Sequence, residues 1–233
     1  MSAAAIISPI LITFLNIDSY TAIGISLFSD VLASFVSCIA YYKNDNIDIK
    51  NGLIIMLIIL LFTMIGSFFA SLVSTSLMGT FSVYMTMILG VKFIIKPIMT
   101  TKEIINNVDA KKRMIQSIIF GIFIGLICGF IGAGGGMMIL IVLTSIMGYE
   151  LKTAVGTSVF IMGFTALTGS ISHFVIGGIP DLIILFLCSI FTLIFAIISS
   201  KFANKLNPKT LNRLVGVILL MLGLVIVIIN LAK

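Results

Sequence analysis

The stretch GFIGAGGGMMI, residues 129–139, places five glycines inside a long apolar run. Because glycine is the poorest helix former apart from proline, an apolar helix is expected to break here. The short apolar segment that follows, 135–148, would cover about 21 Å at 1.5 Å per residue, whereas the hydrocarbon core of a bilayer is about 30 Å thick. The glycine run is therefore predicted to lie at membrane depth, where irregular backbone must be buried in protein or line a cavity.

The composition indicates a membrane protein. Of the 233 residues, 60% are hydrophobic and 9% are charged, and the mean hydropathy is +1.30. Soluble domains carry about 25% charged residues, and the apolar runs are continuous rather than alternating, which excludes a membrane β-barrel. The predicted fold class is an all-α polytopic membrane protein with short or broken helices and about seven to nine transmembrane segments. The predicted segments are 3–15, 20–42, 52–76, 79–99, 115–132, 135–148, 153–177, 182–203 and 212–231.

The basic residues predict the orientation. The net charge is +6, but the lysines and arginines lie in loops between helices, so a nucleic-acid partner is not expected. By the positive-inside rule, the central loop 100–114 and the loops 43–51 and 204–211 are cytoplasmic. The loop 177–181 contains no Lys or Arg and is predicted to lie outside. The expected location is the cell membrane, as a multi-pass protein.

The sequence contains few groups suited to metal or enzyme chemistry. Cys38, Cys128 and Cys188 lie in apolar segments, without a CxxC motif or a histidine at ligand spacing, so we interpret them as reduced packing residues. No metal site and no cofactor are expected. HExxH and GxSxG motifs are absent from the sequence, so an enzyme is not expected either.

An internal repeat relates the two halves of the chain. TAIGIS at 21–26 aligns with TAVGTS at 153–158, an offset of 132 positions. At this offset the loop 42–51, predicted inside, falls on 174–183, predicted outside. The same unit then occurs twice in opposite orientations, as in the inverted repeats of secondary transporters. Chance similarity between two apolar helices is the alternative.

The repeat predicts how the chain is divided. The first half is 1–99, a linker covers 100–114, and the second half is 115–233. Segment 115–132 has no counterpart before residue 1, so the first half is expected to lack its leading helix, either because the helix was lost or because the start of the chain is misassigned.

Two features could bind an anion. The N–H groups of Gly134, Gly135, Gly136 and Met137 begin a helix, where the dipole and unpaired N–H groups favour negative charge. Tight helix packing through small residues is the alternative. In the second feature, Thr157 and Ser158 supply hydroxyl donors, unless both bond back to their own helix.

These residues resemble the motifs of the TauE/SafE family of sulfite exporters and toluene sulfonate uptake permeases. The family's glycine-rich turn corresponds to residues 132–136, GAGGG, and is followed by Gly148 and by AVGTS at 154–158. The resemblance implies a permease for small sulfur-containing or organic anions, such as sulfite or a sulfonate. The first half departs from the pattern, with SAAA at 2–5 in place of the glycine turn and Ile25 in place of the threonine. The predicted substrate-binding residues are Gly132, Gly134, Gly135, Gly136, Met137, Gly156, Thr157 and Ser158, with Gly24 and Ser26 in the first half.

Two ionisable residues are candidates for ion coupling. Asp30 lies in the middle of segment 20–42, where an acidic side chain is costly and often functional. It is interpreted either as the carrier of a coupling proton or as a structural group that accepts a hydrogen bond or pairs with Lys92. His173 lies near the predicted outer end of its helix and is interpreted as an interfacial residue or a proton relay.

Two functional hypotheses follow. The first is a secondary transporter that moves a small oxyanion between inverted repeats. The alternative is a non-transporting or partner-dependent membrane subunit derived from such a permease. The expected partners are a small anionic substrate and the lipid bilayer, and a coupling proton or sodium ion and a second copy of the chain are left open. The direction of transport is also left open.

Overall fold

The computed structural model describes residues 3–95, 110–132, 135–203 and 208–232. These residues form nine α-helices and no strand, which confirms the predicted all-α fold. The helices are α1 (Ala4–Phe14), α2 (Ser19–Tyr42), α3 (Ile49–Ser71), α4 (Thr75–Ile95), α5 (Ala110–Ile131), α6 (Gly135–Ser145), α7 (Leu151–Gly177), α8 (Leu182–Ala203) and α9 (Pro208–Ala232).

The helices fall into two length classes. Within the described residues, six helices contain a window long and apolar enough to cross a membrane, and α8, with 22 residues, has sufficient length. In contrast, α1 and α6 have 11 residues each, about 17 Å, and reach only about halfway through a bilayer. The chain is thus a multi-pass membrane protein with two half-length helices.

Helices α3 and α4 begin earlier in the chain than the sequence predicts. Helix α3 begins at Ile49 rather than at 52, because the side chain of Asp48 accepts a hydrogen bond from the N–H of Asn51 and caps the helix. Helix α4 begins at Thr75 rather than at 79, and its predicted end at 99 lies outside the described residues. A prediction from hydropathy assigns the polar residues at the start of a helix to the preceding loop, although the backbone of these residues is already helical.

Local backbone features recur at the repeat offset. Each 11-residue helix is followed by a residue with positive φ, Asn16 (φ 50°) after α1 and Gly148 (φ 72°) after α6. Two residues later, Asp18 and Glu150 occupy the N-cap positions of α2 and α7. Both pairs are separated by 132 positions, so the helix–turn–helix unit is repeated in its backbone conformation. This correspondence supports the repeat, while the division into halves at 100–114 stays a prediction.

Helices α2 and α7 pack antiparallel to each other. The aromatic ring of Tyr20, at the start of α2, lies against Gly177, at the end of α7. Further along, Leu27 contacts Gly169 and Ser34 contacts Gly163. The residue numbers rise along α2 as they fall along α7, so the two repeat-related helices point in opposite directions.

A stripe of glycines brings α5 against α3. Gly121, Gly125 and Gly129 follow one another at four-residue spacing and therefore share one face of α5. A Cβ at Gly121 would lie 2.9 Å from Ile58, and a Cβ at Gly129 would collide with the carbonyl oxygen of Thr63. Residue numbers rise together along both helices, so α3 and α5 run parallel at close backbone contact, as small residues permit in membranes.

Candidate functional site

The N-terminus of α6 lies halfway along α7. A Cβ at Gly135 would be 3.2 Å from the sulfur of Met162, and Met162 lies eleven residues after the start of α7 at Leu151, which is about 17 Å along that helix. Because the hydrocarbon core is about 30 Å thick, α6 begins near the centre of a bilayer that α7 crosses. The prediction that the broken backbone lies at membrane depth agrees with this placement.

A small cavity of about 40 Å³ lies beside the start of α6. It is lined by two predicted site residues of α6, Gly136 and Met137, and by Ser158 of α7, which was predicted to supply a hydroxyl group. No charged side chain lines it within the described part of the chain. The lining residues are Ser34, Gly136, Met137, Leu140, Val155, Ser158, Val159 and Met162.

Ser34 is a site residue that sequence reasoning missed. It belongs to α2, borders the cavity and is only 7% exposed. Among the described residues its hydroxyl makes no hydrogen bond, and the oxygen itself is not fully buried. A serine without a motif around it gives no sequence signal, and only the antiparallel packing of α2 on α7 brings Ser34 to the α6 terminus.

The equivalent position in the first half is filled by an acidic side chain. The N–H of Ala3, the N-cap residue of α1, donates a 2.9 Å hydrogen bond to Oδ1 of Asp30. At the offset of 132, Ala3 corresponds to Gly135 and Asp30 to Met162. Asp30 is 1% exposed, so a carboxyl group of the protein itself occupies the α1 N-terminus. The predicted structural hydrogen bond is therefore observed, and a coupling role for Asp30 stays a prediction.

The structure describes Gly132, Gly135 and Gly136 of the glycine-rich turn. Gly132 follows α5, and its φ of 71° is a left-handed conformation that glycine adopts readily. A Cβ there would also collide with Ile23. The predicted ligand Gly134 lies outside the described residues. Gly135 and Gly136 form the first turn of α6, whose N–H groups lack carbonyl partners within the helix.

The hydroxyls of the AVGTS motif have different partners. Thr157 is fully buried, and its Oγ1 accepts a 3.0 Å hydrogen bond from the N–H of Asp48. Ser158 donates a 2.8 Å hydrogen bond to the carbonyl oxygen of Val155, the predicted alternative of bonding back to its own helix, while it also borders the cavity. The structure therefore brings Ser158, but not Thr157, to the cavity.

The remaining predicted site glycines make close packing contacts. A Cβ at Gly156 would collide with the carbonyl oxygen of Asn46, and a Cβ at Gly24 would lie 2.8 Å from the ring of Phe174. Ser26 is fully buried and donates to the carbonyl oxygen of Ile23. These three residues do not border the cavity, and their part in substrate binding stays a prediction.

The interior also contains His173. Its side chain is 1% exposed and lies between α2 and α5. Nδ1 is 3.1 Å from the carbonyl oxygen of Tyr20, and Nε2 is 2.9 Å from the carbonyl oxygen of Gly129. Helix packing therefore encloses the ring near the end of α7, and the interpretation of His173 as an interfacial residue or a proton relay stays a prediction.

The helices and the cavity define a polytopic membrane protein with half-length helices that begin at membrane depth, the architecture of a transporter for small solutes. The family model described as Sulfite exporter TauE/SafE matches residues 1–226. The chain belongs to the TauE/SafE family, and it is a membrane permease.

Curated relatives cover most of the chain. It is 26% identical to "Probable membrane transporter protein YunE" and 25% identical to "Probable membrane transporter protein YdhB", both of Bacillus subtilis (strain 168). The matches cover 90% and 88% of this chain and 81% and 83% of those proteins. "Probable membrane transporter protein MJ0441" of Methanocaldococcus jannaschii is 26% identical over 87% of this chain and 77% of its own length. No solved structure gives a significant match.

Proposed function

We propose that this permease moves a small oxyanion, with sulfite as the first candidate, and that the anion binds at the start of α6. One observation carries the proposal. The two repeat-related helix starts differ, because Asp30 places a carboxyl group at the start of α1, whereas Met162 and a cavity lie at the start of α6. The carboxyl group at the start of α1 supports the binding of an anion at the equivalent start of α6, where the cavity leaves room for one.

The chemistry of the α6 start suits an anion. The N–H groups of Gly135, Gly136 and Met137 lie in its first turn, and the helix dipole contributes partial positive charge there. Ser34 and Ser158 add two hydroxyls that border the same space, and the O–H of Ser158 would turn from the carbonyl oxygen of Val155 to the anion. Hydrogen bonds to a charged group are stronger than those between neutral groups. An uncharged site of this kind binds an anion and still releases it, as transport requires.

The size of the cavity favours a substrate of few atoms. A water molecule needs about 10–15 Å³ of such space, so a cavity of about 40 Å³ has room for roughly three water molecules. An inorganic oxyanion such as sulfite is comparable in size. An aromatic sulfonate would require the helices to separate, which makes it the weaker candidate substrate.

The antiparallel pair of α2 and α7 supplies a route for alternating access. The cavity lies between these helices and α6, because Ser34 comes from α2 and Ser158 from α7. Rocking one repeat unit against the other would open this space first to one face of the membrane and then to the other. This mechanism places the substrate at the contact between the two units.

The test measures flux of radiolabelled sulfite into proteoliposomes. We expect saturable uptake by the wild type and a reduced apparent affinity in Ser34→Ala and in Ser158→Ala. A hydrogen bond to a charged group contributes about 1.5–3 kcal/mol, so each substitution is expected to raise the KM by about tenfold or more.

Ser170→Ala is the matched control. Ser170 lies on the same helix as Ser158, is fully buried and makes the same kind of bond, to the carbonyl oxygen of Leu167 at 2.9 Å. It does not border the cavity in the described part of the structure. If Ser34→Ala and Ser158→Ala had the same KM as the wild type and the Ser170→Ala control, the proposed binding site at the start of α6 would be contradicted. Absence of flux by the pure wild-type protein would instead favour the partner-dependent subunit.

A further inference from the structure

The histidine at position 173 faces two hydrogen-bond acceptors. It is the only histidine of the chain, and its ring nitrogens lie 3.1 Å and 2.9 Å from the backbone carbonyl oxygens of Tyr20 and Gly129. Both acceptors belong to helical segments, Tyr20 to α2 and Gly129 to α5. A carbonyl oxygen has no hydrogen to donate, so both ring nitrogens must act as donors to form these bonds.

Only the charged form of histidine can make both bonds. A neutral imidazole carries one N–H and one lone pair, whereas the imidazolium carries two N–H groups. With a neutral ring, one lone pair would face a carbonyl oxygen at close range in a site that is 1% exposed. Leaving such buried polar groups without a hydrogen bond is unfavourable. The arrangement of acceptors is thus complementary to the protonated ring.

Two neighbouring side chains also favour the protonated ring. The aromatic ring of Tyr20 lies 4.1 Å from the imidazole, centroid to centroid, within the range of cation–π contacts. Burial of the ring opposes its positive charge and is the largest effect, whereas the hydrogen bonds to Gly129 and Tyr20 and the carboxyl group of Asp18, the N-cap residue of α2, favour it. Burial raises the pKa of Asp18, but hydrogen bonds from Thr75 and Thr21 outweigh this effect and lower its pKa below the usual value. Asp18 is therefore negatively charged at neutral pH.

Other charged groups are remote from the ring along the packed helices. On α2 the next acidic residue is Asp30, ten residues beyond Tyr20 and about 15 Å along the helix. The described side chains of α5, residues 114–131, include no charged group, and α3 has only Lys50 at its start. On α7 itself the other charged residue is Lys152, at the opposite end.

We propose that His173 is a proton-binding site and that its proton is carried together with the anion. The inference rests on the proposed function. Gly129, which accepts from Nε2, lies three residues before Gly132, the turn that leads into α6. The protonated ring ties α5 just before this turn to α2 and α7, and loss of the proton breaks one of the two bonds. The proton is taken from water on one side and released to water on the other, so a proton and hydrogensulfite, the singly charged form of sulfite, cross without net charge.

The protonation state can be read directly because the chain has one histidine. Protein with ¹⁵N-labelled histidine is reconstituted in lipid, and its ring nitrogens are observed by solid-state NMR from about pH 5 to about pH 8. We expect both nitrogens to carry a proton in this range or to lose one proton in a single titration within it. A neutral ring with one unprotonated nitrogen at every pH would overturn the proposal, with no substitution required.

Transport measurements then test the coupling. His173→Gln is expected to keep exchange of labelled against unlabelled sulfite at equal pH and to lose sulfite accumulation driven by a pH gradient. Ser172→Ala, which removes a neighbouring hydroxyl bonded to Thr168, is expected to keep both. The assignment of His173 as the proton-binding site would be overturned if His173→Gln still accumulated sulfite in a pH gradient. It would also be overturned if Asp30→Asn lost this accumulation while His173→Gln kept it. Absence of exchange in the wild type would contradict the proposed function, whereas the NMR result would stand independently of it.

Discussion

Two residues at equivalent positions give the starts of α1 and α6 different chemistry. Asp30 and Met162 are related by the repeat offset and face the starts of α1 and α6. A helix start at membrane depth favours negative charge. In the first half Asp30 supplies it, and the proposed substrate supplies it in the second half. On the proposed function, the difference of one side chain gives one anion site where the repeat alone would suggest two.

This asymmetry predicts the effect of a carboxyl group at position 162. In Met162→Asp the new side chain is expected to reach the N–H groups at the start of α6, as Asp30 reaches that of Ala3. It would compete with the anion, so sulfite flux in proteoliposomes is expected to fall to the level of protein-free vesicles. Met162→Leu, which conserves volume and stays apolar, is expected to keep most of the flux. Sulfite transport by Met162→Asp at the wild-type rate would rule out this explanation.

At the level of helices, the glycines divide into those that bring helices together and those that begin α6. Gly121, Gly125 and Gly129 let α5 approach the backbone of α3, and Gly156 lies against the loop that contains Asn46. Gly136 instead borders the cavity, and a Cβ there would meet Met162 at 3.4 Å, an ordinary contact. High glycine content therefore reflects two different physical requirements in this chain.

The α3–α5 contact predicts a large effect of a single methyl group. In Gly125→Ala the Cβ would lie 2.7 Å from the carbonyl oxygen of Ile59 and from the Cβ of Phe62, so the helices must separate. Overpacking of this kind typically costs about 1–3 kcal/mol. Gly163→Ala is the control, because its Cβ would have its nearest neighbour at 3.5 Å, and alanine favours a helix by about 1 kcal/mol over glycine. Thermal unfolding in detergent should show a lower Tm for the first variant only, and equal Tm values would contradict the packing argument.

The sequence predicted the helices better than the site. Helices α2 and α8 were predicted to within one residue at each end, since long apolar runs define membrane spans. The glycine break before α6 and the hydroxyl of Ser158 were also predicted. Ser34 and the separate roles of Gly24 and Gly156 were not, because each depends on a partner in a distant helix or loop. The spacing of residues along the chain predicts the local backbone conformation. It does not predict these contacts, because they arise from the antiparallel packing of α2 and α7.

At the scale of the whole molecule, the antiparallel packing of α2 and α7 is compatible with a two-fold relation between the repeats. Tyr20 lies against Gly177 at one end of the pair, and Tyr41 lies 3.0 Å from the Cβ position of Gly156 at the other. The repeat relates Asp18 to Glu150, so the starts of α2 and α7 are equivalent and lie at opposite ends of the pair. In a bilayer that both helices cross, equivalent loops must then lie on opposite faces.

This relation predicts the accessibility of two equivalent loops. The loop after α2 contains Asn44 and carries Lys43, so it is expected inside, whereas the loop after α7 contains Ile179, which is 84% exposed, and is expected outside. Asn44→Cys and Ile179→Cys would each be made in a chain whose three native cysteines are replaced by alanine. A membrane-impermeant maleimide should label Ile179→Cys in intact cells and Asn44→Cys only after permeabilisation. Labelling of both positions from the same side would contradict the inverted orientation, and with it the alternating-access route between α2 and α7, because the antiparallel pair would then not cross the membrane.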